Sequence, residues 1–399
     1  MLRLIKHEYK NHGIRPFMLD LSIAMFIVAN SLAWVLPVSS SPLVIVVLFV
    51  FLLFLFGSKL RIQSFKPMYI VVFSLLLFVE AFIRIGFSDF DEDTNKYLTE
   101  FVVLGIPSMF MVNTSFRPYK VLEIICALSV PFVFYVWGLN MITSKIDYGY
   151  WMGISYGIVK YIVVLFLVIF FIRKSNLAIR LLLLAVLFSY ILFYLEYASR
   201  GAILAVIISI GLFYLVYKNY SIKKTVLLLL LLSVTLSILF YGMLQTIYYF
   251  LQDQGIESFA LHKMLFMDDI TNGRENLSKN GIEIFMNSPI IGFGAGIYER
   301  EYGRGYIHNC LIQFLDEGGI VYFVVMLVVI GKSFKYVFDR RLSNDERYFM
   351  AFLISGGFVQ LLFSSYFWGA QCFWLMIGYA FFLSNKLKNM SYENTPSSI

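Results

Sequence analysis

LAIRLLLLAVLFSYILFYLEYASRGAILAVIISIGLFYLVY, residues 177–217, is the stretch whose reading decides the fold. As one helix it would be about 40 residues long, twice what crosses a hydrocarbon core of roughly 30 Å at ~1.5 Å per residue. Split at Ser199-Arg200-Gly201 it becomes two spans, 177–197 and 201–217, joined by a tight turn of small residues around an arginine. Similar apolar runs continue outward on both sides, at 18–37, 42–57, 67–85, 97–112, 121–141, 154–172, 225–244, 319–333, 347–366 and 370–385. The expectation is an all-α, polytopic transmembrane bundle of about twelve helices, forming a single integral membrane domain over residues 1–399.

Composition agrees. The chain is 60% hydrophobic, 18% aromatic and only 14% charged, with a mean hydropathy of +0.77, which excludes an ordinary soluble domain. Most of its 32 Lys and Arg fall in alternate loops, so basic loops on the inner side place both termini in the cytoplasm. The net charge of +7 then reflects topology and anionic lipid, and calls for no nucleic acid. Basic residues precede the first apolar run, but no small-residue cleavage site follows, so it reads as a retained span. Three cysteines with no CxxC pair indicate neither a disulfide nor zinc. The two halves share no repeat, which counts against an inverted-repeat carrier.

One long polar stretch stands outside the spans. Residues 245–318 read as an extracytoplasmic loop of short helices between the ninth and tenth spans. Aromatics interleaved with acids from Tyr248 to Met267 suit helices lying at the interface. A second helix is expected from about Arg274 to Met286, capped by Thr271 or Asn272 and ended by Asn287-Ser288-Pro289. A glycine-rich turn follows, then a short helix from His308 to Glu317 that Gly318-Gly319 would stop before the tenth span.

Several residues carry chemistry. Arg200 between two spans is costly unless it has a partner or faces water, and a helix starting at Gly201 would offer free N–H groups beside it as an anion site. The competing reading is an ion pair with Glu196. Arg274 opens a helix, where a cation has the wrong sign for the dipole, so a bound anion explains it better than local stability; pairing with Glu275 or Asp269 is the alternative. Two arginines on one diphosphate would make forked contacts and neutralise a departing pyrophosphate without metal. His308, the one histidine of four near the glycine turn, is suited to take a proton from a sugar hydroxyl. Glu317 is a second candidate base, but nine residues from His308 it would face the other side of a continuous helix. Gly292 and Gly294 follow a helix instead of a strand and lack a P-loop lysine, so they read as a bending backbone that approaches a ligand closely. Asp89, Asp91, Asp93, Asn95 and Glu100 have calcium-loop spacing, but Thr94 stands where glycine is needed, so an acidic outer loop is the better reading. Glu80 and Arg84 should pair, and Lys160 has no obvious partner and is placed on an outward cavity.

Together, Ser199-Arg200-Gly201-Ala202-Ile203-Leu204, Gly273-Arg274, the Ser288-Pro289-Ile290-Ile291-Gly292-Phe293-Gly294 turn and His308-Asn309 with Gly319 and Tyr322 resemble the O-antigen polymerase and ligase superfamily. The similarity covers about 199–322. One departure is Glu275-Asn276-Leu277-Ser278, where many members carry a tryptophan. The resemblance implies a metal-independent inverting glycosyltransferase of the C-type membrane fold, needing no cofactor and no nucleotide sugar. Its donor would be an undecaprenyl-diphosphate-linked oligosaccharide at the outer face of the cytoplasmic (inner) membrane. His308, Arg200 and Arg274 would be catalytic, with Asn309, Gly292, Gly294, Glu317 and Lys160 contacting substrate. The product would be O-antigen, capsule or exopolysaccharide. A polymerase is favoured over a ligase because nothing marks a dedicated periplasmic domain for a lipid A core. A lipid-linked oligosaccharide flippase is the reading from another class. A chain-length regulator and a flippase of the same pathway are the expected protein partners.

Overall fold

The computed structural model describes residues 14–35, 50, 64–85, 92–114, 116–142, 148–172, 176–197, 199–218, 245–246, 248–254, 262, 265, 274–303 and 306–393. Among these residues regular structure is entirely helical. In chain order the helices are α1 (Ile14–Val35), α2 (Pro67–Ile85), α3 (Glu92–Glu100), α4 (Pro118–Ile142), α5 (Tyr148–Leu167), α6 (Leu177–Tyr197) and α7 (Arg200–Tyr217). After these come α8 (Arg274–Asn287), α9 (Ile297–Tyr302), α10 (Cys310–Val337), α11 (Asn344–Ile354) and α12 (Gln371–Glu393). Three π-helical segments extend the series: Phe101–Gly105, which joins α3 to Ile106–Met111, Val168–Ile172 after α5 and Ser355–Val359 after α11.

Five helices contain stretches long and apolar enough to cross a membrane: Pro67–Arg84, Pro118–Gly138, Gly153–Phe171, Leu177–Tyr194 and Cys310–Val337. Gly201–Tyr217 is a shorter apolar helix. A polytopic helical membrane protein is therefore what the chain builds. The expected spans 42–57 and 225–244, like the interfacial aromatics of 255–261 and the cap residues Thr271 and Asn272, lie outside the described residues.

The hairpin that decided the fold is present. α6 ends at Tyr197 and α7 starts at Arg200, with Ser199 in extended backbone and its hydroxyl accepting from the Ala202 N–H at 3.2 Å. Such an N-cap is typically worth ~1 kcal/mol. Gly201 lets the start of α7 pack closely, since a Cβ there would overlap Tyr156 of α5 and Phe363.

α1 packs on α4, tied by Asp20, whose buried carboxylate accepts from the backbone N–H of Arg117 at 2.9 Å and pairs with its guanidinium at 2.7 Å. α12 lies so close to 106–111 that a Cβ on Gly378 would overlap Met109. The eleventh span departs from expectation: the helix ends near residue 361 instead of 366, and the chain turns back to bury Phe367 and Trp368 among Phe78, Phe101, Phe314 and Trp374. The tenth span also differs. Helix α10 starts well before Gly319 and contains it as a kink at φ 60°, ψ −167°.

Candidate functional site

The glycine turn after α8 is docked into that kink. In an unbroken helix the carbonyls of Asp316 and Glu317 would accept from the N–H groups of Ile320 and Val321. Here Asp316 accepts from Phe293 at 3.0 Å and Glu317 from Gly294 at 2.8 Å, while Ile320 and Val321 donate to Pro289 and Ile290 at 2.9 and 3.3 Å. These four backbone groups freed by the kink are paired again by the turn, which helps make a break inside an apolar helix tolerable. Gly292 and Gly294 have φ of +73° and +84°, and their close approach is to protein backbone: a Cβ would strike Glu317 and Gly318 from the first, Ala81 and Leu77 from the second.

Behind the turn is a layer of carboxylates. Glu317 is fixed by three donors: Gln313 Nε2 at 2.8 Å, the Gly296 N–H at 3.2 Å and Trp368 Nε1 at 2.9 Å. The neighbouring Asp316 is fully buried, with neither carboxylate oxygen hydrogen-bonded. Glu299 of α9 accepts from the Tyr97 hydroxyl, and burial pushes its carboxyl up to about 7. Glu100 accepts from Tyr366 at 2.8 Å. Arg300 braces the layer through Thr94 at 3.0 Å and the carbonyl of Phe293 at 3.4 Å. Asp93 to Glu100 thus belong to a helix whose Thr94 and Tyr97 are buried, not to an open acidic loop.

His308 lies just outside α10, whose N-cap is Asn309, its side-chain carbonyl accepting from Leu311 N–H at 3.0 Å. The expected helix start at His308 is therefore two residues early, and the face argument against Glu317 loses its premise. His308 has φ +58°, an uncommon conformation for a residue other than glycine. Its ring sits 4.3 Å from that of Tyr306, and Nδ1 is buried without a hydrogen-bonding partner. Burial, helped by the charge of Arg274, holds the imidazole down at about 4, so it is neutral at physiological pH.

Arg274 lies on α8, whose described part runs from Arg274 to Asn287. Gly281, two turns along, lets α8 press onto Ile307 and Ile312, where a Cβ would overlap both. A small cluster of Ile284, Ile297, Tyr298 and Ile307 seals the contact. This packing of α8 on α10 brings the Arg274 charge to bear on His308.

Arg200 occupies the first position of α7; its side chain lies outside the described residues. Its neighbour Gly201 abuts Tyr156, and Tyr156 lines a cavity of about 80 Å³ shared with Lys160, Tyr306, Gln360, Ser364 and Gln371. One wall of this cavity thus adjoins the start of α7, and another is Tyr306, whose ring is tilted against that of His308. Lys160 points its Nζ at the carbonyl of Ile27, 2.9 Å away, a partner 133 residues distant that spacing could not reveal. Sequence reasoning missed Tyr306, Gln360 and Gln371 on this cavity. Tyr306, two residues before His308, carried the only local signal.

A polytopic membrane protein, helical throughout its described residues, with a cavity between its helices to which the polar loop contributes Tyr306, is the class that fold and site define. Residues 197–327 match the family described as O-antigen ligase, a segment that holds Arg200, Arg274, the glycine turn, His308 and the α10 kink. This agrees with the O-antigen polymerase and ligase superfamily that the motifs resemble. No curated protein matches the chain.

Proposed function

We propose that the chain is a polysaccharide polymerase that joins undecaprenyl-diphosphate-linked repeat units at the outer face of the cytoplasmic membrane, with both termini inside. The observation that carries this reading is the neutral imidazole of His308, held at φ +58° with Nδ1 unpartnered while the cationic Arg274 acts on it. An imidazole that is neutral at physiological pH has a ring nitrogen free to accept the proton of a sugar hydroxyl.

In the proposed reaction an acceptor hydroxyl gives its proton to His308 and attacks the anomeric carbon of the donor. The new C–O bond forms as the bond to the diphosphate breaks, with inversion, and the lipid diphosphate leaves carrying the electron pair. Arg200 and Arg274 hold its oxygens and offset the developing charge. Asn309 fixes the backbone on which His308 rides. Gly292, Gly294 and Glu317 act by holding the turn against the α10 kink, and Lys160 faces the substrate cavity. The family description supports glycan transfer in the O-antigen pathway, and the choice of polymerase over ligase rests on the sequence.

The test is incubation of purified protein with lipid-linked repeat units, followed by gel analysis of the glycans. A ladder on the lipid carrier is the expected result. Transfer only to an added core acceptor would make it a ligase, and no new glycosidic bond would point to transport.

A further inference from the structure

Lys160 lies in the middle of an apolar helix, 7% exposed, and among the described residues its hydrogen bond goes to a neutral carbonyl, that of Ile27. An ammonium has three donors, and among the described residues no carboxylate pairs with this one. A buried charge in a span marks a pathway or a ligand. Gln371 lines the same cavity from the start of α12, is 2% exposed, and among the described residues has no hydrogen-bonding partner for Oε1 or Nε2. The two groups come from different elements, and each is costly to keep unmatched. Gly356, against the Lys160 stem, and Gly157 keep the space beside them open. At about 80 Å³ the cavity is about half the size of one that takes a benzene ring (~150 Å³), so it suits a charged substituent and not a whole sugar.

We propose that Lys160 and Gln371 form a subsite for an anionic oxygen group, carboxylate or phosphate, of the lipid-linked substrate. The ammonium supplies the charge and the amide a donor. The group comes either from an acidic sugar of the repeat unit or from the lipid phosphate. The proposal rests on the glycan-transfer reading for the identity of the substrate, not for the existence of the site.

The test is thermal-shift and calorimetric titration of the purified full chain in detergent with inorganic pyrophosphate, methyl β-glucuronide and, as uncharged control, methyl β-glucoside. At least one anion should bind wild type, and the glucoside should not. Lys160→Met should weaken that binding tenfold or more while the ligand-free melting temperature stays equal or rises, since an unpaired buried charge is gone. Gln371→Leu should weaken it several-fold. Pyrophosphate binding that Lys160→Met weakens assigns the group to the lipid phosphate, since binding at Arg200 and Arg274 alone would survive that change, and glucuronide binding that it weakens assigns the group to an acidic sugar. Wild type binding neither anion, or Lys160→Met binding as wild type does, overturns the proposal. If Lys160→Met does not fold, undiminished affinity in Gln371→Leu overturns it. A chain that binds the anion but makes no polymer fails only the proposed function, and one that polymerises yet binds neither anion fails only this subsite.

Discussion

The carbonyl of Glu317 accepts from the N–H of Gly294 at 2.8 Å, taking the bond that Val321 would supply in an unbroken helix. A loop segment thereby becomes part of the hydrogen bonding of a membrane-crossing helix. This ties the position of the whole site to two glycines.

Gly294→Ala should therefore be among the most damaging single changes in the chain. The added Cβ meets backbone of Ala81 and Leu77 at a φ of +84°, where neither side can yield. Strain of this kind costs roughly 1–3 kcal/mol before any clash. Gly303 has φ +60° with nothing within 4 Å, so Gly303→Ala isolates the conformational part. Melting of the purified variants should rank Gly294→Ala well below Gly303→Ala, and Gly303→Ala slightly below wild type. Equal melting temperatures would show that the turn is not held where the kink requires it.

His308→Ala should lower the rate of glycan transfer by about 10²–10⁴ at unchanged protein level, the usual contribution of a general base. The pH profile is the sharper measurement. With the imidazole held at about 4, activity in the wild type should persist well below pH 6 and fall only as pH approaches 4. Arg274→Gln removes one of the two causes of that depression, so its acid limb should move up towards 6.5. The same shift bears on stability: the folded value is below the unfolded one, so the contribution is present above pH 6.5 and is lost as pH falls towards 4. An acid limb unmoved by Arg274→Gln would separate the two residues.

The spans at 67–85, 121–141, 154–172 and 177–197 were legible because long apolar runs need no partner to be recognised, and the break in 177–217 could be resolved from Ser199-Arg200-Gly201 alone. What spacing could not show is pairing across distance. Gly318-Gly319 reads as a helix stop, but the carbonyls left open by the break are taken by Phe293 and Gly294, so α10 continues through it. His308 reads as the first residue of a helix, since nothing in His-Asn announces a positive φ. Lys160 reads as unpartnered because Ile27 lies in another helix, and Glu317 reads as a free carboxylate because Trp368 and Gly296 are remote in sequence.

Glu299 predicts a pH dependence of opposite sign to that of His308. Burial raises its carboxyl from 4.5 to about 7, so its contribution to stability is fully present below pH 4.5 and is lost as pH rises through 7. Glu299→Gln keeps an acceptor for the Tyr97 hydroxyl and removes the charge. The variant should gain on the order of 3 kcal/mol relative to wild type at pH 8, at about 1.4 kcal/mol per pH unit between 4.5 and about 7, with little gain at pH 4.5. Melting curves at the two pH values measure this directly, and a difference independent of pH would mean that Glu299 does not titrate in that range.

The two arginines predict a pattern that a pair of surface charges would not give. If Arg200 and Arg274 hold one diphosphate, each →Ala variant should lose about 10²–10³ in rate, and the double variant much less than the product of the two losses, because groups that act on one leaving group are not additive. Arg→Lys at either position should recover only part of the rate, since an ammonium cannot make the forked contact. A chelator should leave transfer unchanged, because arginines and not a metal neutralise the departing oxygens. Rates measured on lipid-linked repeat units for these five variants, with and without chelator, decide the point. Multiplicative losses would place the arginines at separate tasks, and loss on chelation would end the metal-independent mechanism.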